Sequence, residues 1–412
     1  MPGMAESTTS GAGEVPLSEA NAIVQEHLGT LMSRFPDPGG SDPIEFLGTQ
    51  FDLGLAWVHF PTGSGGLGVA AGLQTEVDRR LRSAGAPHGR GDFIALHQSA
   101  AAIAAVGTEA QRERFLRPIF TGQEHWCQLF SEPGAGSDLA GLSTAAVRDG
   151  DEWIVNGQKV WTSGAKEARW AILVARTDPD VPKHRGLTFF ICDMHAPGVE
   201  VRPLRQADGG AHFNEVFLTD VHVPDDHRVG DVGQGWAVSL GALNSEREGT
   251  GDAFGRPIDG LLELWRSRHD RRSSHARALR DQVARMWIES RVVSMSNLRL
   301  RAAQRSGGPT PLGSLAKIAA SEHAQRLSGV MAAVMGPAAL VGLDYEGSLS
   351  EGQGAGSGLS SMTPQRFVVR SRAMSIEGGT NEVQRNIIGE RVLGLTGDVR
   401  VDKDRPWRDV PR

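Results

Sequence analysis

The sequence predicts an α+β protein in three consecutive parts: an N-terminal helical domain, a middle antiparallel β-barrel or sheet, and a C-terminal four-helix bundle. Three observations predict it. Apolar residues recur at helical spacing before about residue 125 and again after about residue 235. Between those regions run short strand-like segments separated by turn residues. Strands and helices do not alternate, so neither a doubly wound sheet nor an eight-fold α/β barrel fits.

The chain has 412 residues, room for roughly two or three domains and a large core. A net charge of −6 and a pI near 6.1 argue against a nucleic-acid surface, which needs a basic stripe. A local basic pocket for a phosphorylated ligand is compatible with that balance. Two cysteines, Cys127 and Cys192, are too few for a disulfide framework or a thiolate zinc site, and they fit a reducing, cytoplasmic setting. His222 and His227 stand in VHVPDDH without the paired cysteines or the HExxH pattern of a metal site. The longest apolar run, Val330–Val341, is too short to span a bilayer and is broken by Gly336 and Pro337. Residues 1–15 lack a basic stretch and an apolar core, so they read as a disordered tail and not a secretory signal.

In the N-terminal domain, residues 16–125, Leu17, Val24, Leu28 and Leu31 fall on one helical face. Thr108 with Gln111 forms a capping box for the helix through Phe115. Gly63-Ser64-Gly65-Gly66-Leu67-Gly68 matches G-x-G-x-x-G literally. A nicotinamide-binding reading would need a preceding strand and a βαβ unit. Pro61-Thr62 interrupt the run LAWVHF, and only helical pattern follows.

The middle domain, residues 126–234, contains EWIVNGQKVWTSG, whose Asn156-Gly157 predicts a tight hairpin turn. RWAILVART, GLTFFICDM, VEVRPLR and NEVFLTDVHV supply further strands. In the C-terminal domain, residues 235–412, Ala284, Trp287, Ile288, Arg291, Val292, Met295 and Leu298 keep helical spacing. Leu315, Ile318, Glu322, Leu327, Val330 and Val334 do so too, after the break SGGPTP. Residues 343–365 are Gly/Ser-rich and read as a mobile loop.

Four stretches carry chemistry. Leu129-Phe130-Ser131-Glu132-Pro133-Gly134-Ala135-Gly136-Ser137-Asp138 is Gly-rich and flanked by hydroxyls, so its backbone can approach a planar or phosphorylated ligand, or simply turn. Trp161-Thr162-Ser163-Gly164 sets an indole beside two hydroxyls, suited to an aromatic ligand or to a core. In GWAVSLGALNSEREG, Glu246 and Arg247 end an apolar stripe. They form either an ion-pair cap or a carboxylate whose apolar surroundings raise its pKa for base work. Gly378-Gly379-Thr380-Asn381-Glu382 opens the last helix, whose N-terminus can cap itself or meet an anion or a carbonyl oxygen.

Taken in order, LFSEPGAGSD, GQKVWTSG, a helix carrying Glu-Arg, and EGGTNEVQRNIIGERVLGL resemble the acyl-CoA dehydrogenase family over roughly residues 45–396. FLRPIFTGQEHWCQ and RQADGGAHFNEVFLTDVHVP are similar to it as well. The resemblance implies an FAD enzyme that oxidises an acyl-CoA to the 2-enoyl-CoA, passes electrons to an electron-transfer flavoprotein, and assembles as a homotetramer, a dimer of dimers, or a hetero-oligomer with a related chain. The Phe130 backbone and Ser131 match positions that meet the flavin. Trp161, Thr162 and Ser163 match the wall and polar edge beside it. Ser137 matches a contact to the CoA pantetheine. Thr380 and Glu382 match contacts to the adenylate end of FAD. Arg271, or its neighbour Arg272, and Ser273 fall where the family sets an arginine for the pyrophosphate, since RHDRRSSHAR departs from the usual pattern. Val334-Met335-Gly336-Pro337 stands where the family has Gln-Gly-Gly.

Most members carry their catalytic Glu immediately before the Gly-Thr of the last helix, where this sequence has Gly378. Glu377 is one residue earlier. The isovaleryl and long-chain branches carry the Glu on the earlier helix directly before an Arg, an arrangement that Glu246-Arg247 matches. The resemblance therefore implies Glu246 as the base that removes the α-proton while the β-hydrogen leaves as hydride to the flavin. Arg247 would hold CoA or orient Glu246, and the Gly378 N–H would stabilise the thioester oxygen. A non-catalytic partner subunit and a flavin oxidase or monooxygenase are the alternatives.

Overall fold

The computed structural model describes residues 16–89, 92–249, 257–267, 273–305, 312–341, 363–397, 399 and 402–411. The tail 1–15, Arg271 and most of the Gly/Ser-rich stretch 343–365 lie outside these. Two compact units divide the chain: Met1–Arg90 with Arg112–Gln123, and Gly91–Gln111 with Glu124–Arg412.

The first unit is helical. It contains α1 (Leu17–Arg34), α2 (Pro43–Asp52) and α3 (Gln74–Ser83). In α1, Ala20, Val24, Leu28 and Leu31 are buried, and the last three are residues that the periodicity selects. Leu17 is 67% exposed because it opens the helix, and Ala20 takes the inward position one turn on. Helix α2 starts on Asp42, whose carboxylate accepts the Glu45 N–H at 2.9 Å, with Pro43 in the first turn.

No described strand leads into the G-x-G-x-x-G match. The segment folds into stacked turns in which the Ala56 and Trp57 N–H groups both donate to the Gly65 carbonyl. A side-chain carbon at Gly66 would stand 2.1 Å from the Phe60 oxygen and 2.6 Å from that of Trp57. Gly66 thus serves close packing of the backbone upon itself and Gly65 that of the Phe51 ring, and with no described strand leading in, the dinucleotide reading is removed.

The second unit begins with the one-turn π-helix Ala95–Ser99 and continues through α4 (Ala100–Val106) into the start of α5 (Glu109–Thr121). The capping box forms as expected: Gln111 N–H meets Thr108 Oγ1 at 3.2 Å and Thr108 N–H meets Gln111 Oε1 at 3.0 Å. The Gln111 amide nitrogen also donates to the carbonyls of Asp226 and Arg228.

The described strands that follow are β1 (Trp126–Leu129), β2 (Ala145–Asp149), β3 (Glu152–Ser163), β4 (Trp170–Arg176), β5 (Leu187–Asp193), β6 (Val199–Leu204) and β7 (Phe213–Pro224). They form one sheet in the order β1-β4-β2-β3-β7-β6, with β5 also on β4. Pairing is mostly antiparallel, but β1 and β2 each run parallel to β4. Its core holds Leu129, Val155, Leu173, Phe190, Val216 and Val221, with both cysteines buried as free thiols. Burial pushes the Cys192 thiol up to about 12.

The hairpin expected at Asn156-Gly157 is not there. β3 runs straight through that pair, and the β2–β3 turn falls at Gly150-Asp151. The pair instead faces an irregularity, one extra residue on β7 between Leu218 and Val221. There Asn156 and Asp220 exchange two hydrogen bonds of 2.9 Å, with Asp220 in the left-handed region at φ 47°. Gly157 is required because a side chain would strike the Thr144 backbone at 2.7 Å.

Helices α6 (Gly235–Gly249), α7 (Pro257–Ser267), α8 (Ser274–Arg305), α9 (Leu312–Met335), α10 (Pro364–Arg370) and α11 (Asn381–Arg391) complete the unit. Helix α6 packs on β5 and α4, while α7, α8, α10 and α11 gather around α9. Their core contains Leu261, Met286, Leu327, Met331, Val334 and Phe367. The apolar stripe read on α8 faces outward: Trp287, Ile288, Val292, Met295 and Leu298 are 43 to 66% exposed. The buried face is Leu279, Val283, Met286 and Val293.

Residues 402–411 return to the sheet. The Trp407 indole donates to the Gly141 carbonyl at 3.1 Å, and the Arg176 guanidinium lies 4.1 Å from its ring centre. Lys183 bridges Asp138 at 2.8 Å and Asp402 at 2.6 Å.

Gly66→Ala is expected to destabilise the helical unit by more than ~2 kcal/mol, because the Phe60 and Trp57 carbonyls cannot withdraw without breaking their turns. Gly72→Ala, with nothing within 4 Å of the new carbon, is expected to change stability by less than about 0.5 kcal/mol. Denaturant unfolding followed by circular dichroism compares the two.

Candidate active site

Two segments named for a cofactor, the 130–138 loop and the end of β3, are bound together from beneath by one buried ion pair. Lys159 is fully buried. Its ammonium donates to the Phe130 carbonyl at 3.0 Å, to Glu132 Oε1 at 2.9 Å and to the Val174 carbonyl at 2.9 Å. Glu132 also accepts the N–H groups of Ser143 at 2.6 Å and Thr144 at 2.9 Å. Burial alone would raise the Glu132 carboxyl, but Lys159 and these N–H groups together hold it below the ordinary carboxylate value. Above the pair, the Ser131 carbonyl accepts the Val160 N–H at 2.9 Å, and Glu132 and Ala135 exchange two bonds of 3.0 Å that close the Gly-rich turn. Phe130 is buried with its ring edge-on to Phe189.

Beyond Lys159 the strand changes hand. Lys159 pairs with Val216 and Thr162 with Asn214, so β3 carries one extra residue there. Trp161 absorbs it at φ 62°, a conformation costing a bulky residue on the order of 1–3 kcal/mol. Its indole is turned out of the sheet, 61% exposed, and meets Phe213 edge-on at 6.1 Å. Thr162 points the other way. Its hydroxyl is sealed from solvent and has no partner among the described residues. Asn214 donates to the Thr162 and His212 carbonyls, leaving its own Oδ1 unmet there too. A sealed polar atom without a partner costs about 1–3 kcal/mol. A planar ligand with a polar edge, stacked beside Trp161, would offset that, so these residues fit a flavin ring.

The other candidates stand as follows. Ser137 is exposed on the Gly-rich loop, next to Asp138. A cleft of about 530 Å³ adjoins this loop, lined by Glu132, Gly134, Asp138, Gly157, Lys183 and Trp407. Thr380 caps α11, accepting the Val383 N–H at 3.2 Å. Glu382 is exposed in the first turn, 3.5 Å from Arg385. Beside them Asn381 accepts from Lys317 at 2.8 Å and Ser321 at 2.9 Å. Burial lowers the Lys317 ammonium to about 8, against the pull of Glu377 and Glu382. Ser273 serves as the cap of α8, accepting the Ala276 N–H at 3.0 Å. Glu246 and Arg247 lie near the end of α6; their side chains are outside the described residues.

Gly378 adopts φ 66° and Gly379 φ 88°. A side chain at Gly378 would meet nothing within 4 Å, whereas one at Gly379 would meet the Gln384 amide at 2.6 Å. Glu377 accepts from Arg370 at 2.6 Å. The sheet edge thus collects Phe130, Ser131, Trp161, Thr162 and Ser163. Lys159, Asn214 and Arg370 are not singled out by the sequence. A lysine inside a strand otherwise bound for the core, and a glutamate inside a Gly-rich turn, are the available signals for the ion pair.

Comparison with known proteins decides the family. Residues 17–123 match the family model described as acyl-CoA dehydrogenase, N-terminal domain, 127–221 the middle domain and 233–393 the C-terminal domain. The chain belongs to the acyl-CoA dehydrogenase family. It is 38% identical over 349 residues to the acyl-CoA dehydrogenase FadE34 of Mycobacterium tuberculosis, covering 84% of this chain and 45% of that protein. The chain thus spans less than half the length of that relative. It is 33% identical to the acyl-CoA dehydrogenase IpdE1 of the same organism, covering 84% of this chain and 86% of that one. Among solved structures, the ChsE4-ChsE5 complex from M. tuberculosis is 30% identical with a TM-score of 0.68, covering 94% of this chain and 100% of that one. A variant of the Tcur3481-Tcur3483 steroid ACAD is 25% identical with a TM-score of 0.69, covering 93% and 99%.

Glu132→Gln is expected to cost on the order of 3–5 kcal/mol at neutral pH, because it leaves the Lys159 ammonium buried without its counter-charge. The acid limb of the stability curve should flatten as well. The wild-type carboxyl has a folded-state value below its ordinary 4.5, so its contribution is present above that pH and is lost as pH falls through the folded-state value. Denaturant unfolding from about pH 3 to 7 measures both effects; a variant as stable as wild type at pH 7 contradicts the first.

Proposed function

We propose that this acyl-CoA dehydrogenase binds FAD and converts a bulky acyl-CoA thioester to its 2-enoyl-CoA. The observation that carries the reading is the edge of β3, where Trp161 turns out beside a sealed Thr162 hydroxyl that no described residue meets. Bound FAD would accept the two electrons and the β-hydrogen. Everything else falls to this chain. The Phe130 backbone, Ser131, Trp161, Thr162 and Ser163 would hold the ring, with Thr380, Glu382, Ser273 and Arg271 along the rest of the cofactor. Ser137 and Arg247 would hold the CoA portion.

Ionised Glu246 would take the α-proton, and the Gly378 N–H would steady the charge that develops on the thioester oxygen. Two observations support Glu246 over Glu377. The Glu377 carboxylate is already engaged by Arg370, and Gly378 leaves open space for a base that arrives from another element. That same space supports a bulky acyl group, as does the structural relative described as a steroid ACAD. An electron-transfer flavoprotein would be the acceptor.

The outward stripe on α8 is an apolar surface of the kind that subunits cover. It supports assembly with a second copy or with a related chain, as the two-chain name of the ChsE4-ChsE5 complex suggests. In a second reading this chain is the non-catalytic member of such a pair.

Purified assembly is expected to be yellow and to lose its visible absorbance on anaerobic addition of a bulky acyl-CoA. Glu246→Gln should keep FAD and slow that loss by at least ~100-fold. A dead Glu377→Gln with an active Glu246→Gln would reverse the assignment. Bleaching that survives Glu246→Gln in a two-chain assembly, but not the matching change in the partner, would select the second reading. Met295→Glu with Leu298→Glu is expected to yield a smaller species by light scattering; an unchanged mass would remove the α8 stripe from the interface.

A further inference from the structure

The last part of the chain brings a guanidinium to the same sheet edge. Arg370 closes α10, and its guanidinium carbon lies 5.7 Å from the Phe213 ring centre. Phe213 meets the Trp161 indole at 6.1 Å and pairs through its backbone with Ser163. Glu377 accepts from Arg370 Nη2 at 2.6 Å and so fixes the direction of the fork. The remaining donors, Nε and Nη1, are sealed from solvent and have no partner among the described residues.

Thr162 Oγ1 and Asn214 Oδ1, on residues that pair across β3 and β7, are likewise sealed and unmet. Native structures rarely leave such atoms unless something else meets them. The Arg370 donors call for an acceptor beside Phe213 and Trp161. A flavin's pyrimidine edge supplies one, in its carbonyl oxygens and ring nitrogens.

Arg370 is the guanidinium beside Phe213, and Glu377 lies against it. Arg366 is 3.7 Å from the buried Asp208 carboxylate. Burial, then Arg370 itself, holds the His212 imidazole below its ordinary value and favours its neutral form.

We propose that Arg370, oriented by Glu377, is a positioning residue of the flavin site, its free guanidinium donors meeting the pyrimidine edge and favouring the reduced ring. This rests on the FAD reading above. When a flavin takes up two electrons and one proton near neutral pH, it gains one negative charge, which gathers on that edge. A fixed cation beside it favours that form over the neutral oxidised one.

The test uses wild type, R370Q and R370K, each purified with any subunit that accompanies it and loaded with FAD. The proteins are reduced anaerobically by dithionite against a reference redox dye, and FAD affinity is measured separately by fluorescence quenching. R370Q is expected to shift the reduced-to-oxidised ratio about tenfold toward oxidised at a given dye ratio, the scale of a unit charge at close range in a protein. R370K keeps the charge but loses the fork, so it should poise near wild type and bind FAD more weakly. It also serves as the second readout where R370Q does not fold. FAD-loaded R370Q that poises as wild type does, or R370K that binds FAD as tightly as wild type, overturns this role and leaves the dehydrogenase reading standing. A wild-type assembly that takes up no FAD overturns both.

Discussion

An ammonium with no access to water holds the sheet edge in register. Lys159 cannot stay charged inside the sheet unless its protons find acceptors, and it finds three: a carboxylate and two carbonyls from separate segments. The demand is mutual, because Glu132 is equally unable to stay ionised there without Lys159 and its two backbone donors. One pair therefore locks the Gly-rich loop, β3 and β4 to a common point. Buried pairs of this kind add little net stability over an apolar substitute, yet they are intolerant of misplacement. Here that intolerance is transmitted to the loop backbone and to the end of β3, the two segments whose mutual spacing a flat ligand would sense.

Two residues past that fixed point, the extra residue in β3 has only one direction in which to go. With Lys159 pinned below and Thr162 paired to Asn214, Trp161 carries the whole irregularity in its own backbone. The indole is thereby aimed away from the core, where an aromatic residue would otherwise be drawn. Trp161 is strained, Thr162 keeps an unmet hydroxyl, and Arg370, with unmet donors, lies beside Phe213. A free chain that keeps such features forgoes stability that a simpler sheet would have, a common signature of a surface shaped for something else.

Much of the architecture was legible because it depends on spacing. The inward face of α1, the Thr108–Gln111 box and the run of strands between two helical regions follow from periodicity and local hydrogen bonding. Expectation and structure part where geometry depends on partners distant in sequence. Asn156-Gly157 has the composition of a turn, but Thr144 and Asp220, on neighbouring strands, hold it flat within β3. On α8 the helical spacing was legible, but which of its apolar faces is covered was not, because that depends on packing against α7 and α9. The cofactor motifs were readable as motifs. What binds them together, Lys159 with Glu132, was not, since a lone charged residue in a strand carries no mark of its partner.

The return of residues 402–411 to the sheet bears on how the molecule is made. Trp407 reaches back to Gly141 and Arg176, across more than half of the polypeptide. A ribosome will have released every described strand, and nearly every helix, before the indole that covers those loops exists. Until residues 402–411 are made, Arg176 and the Gly141 carbonyl lack this indole, and the sheet must hold together without that contact.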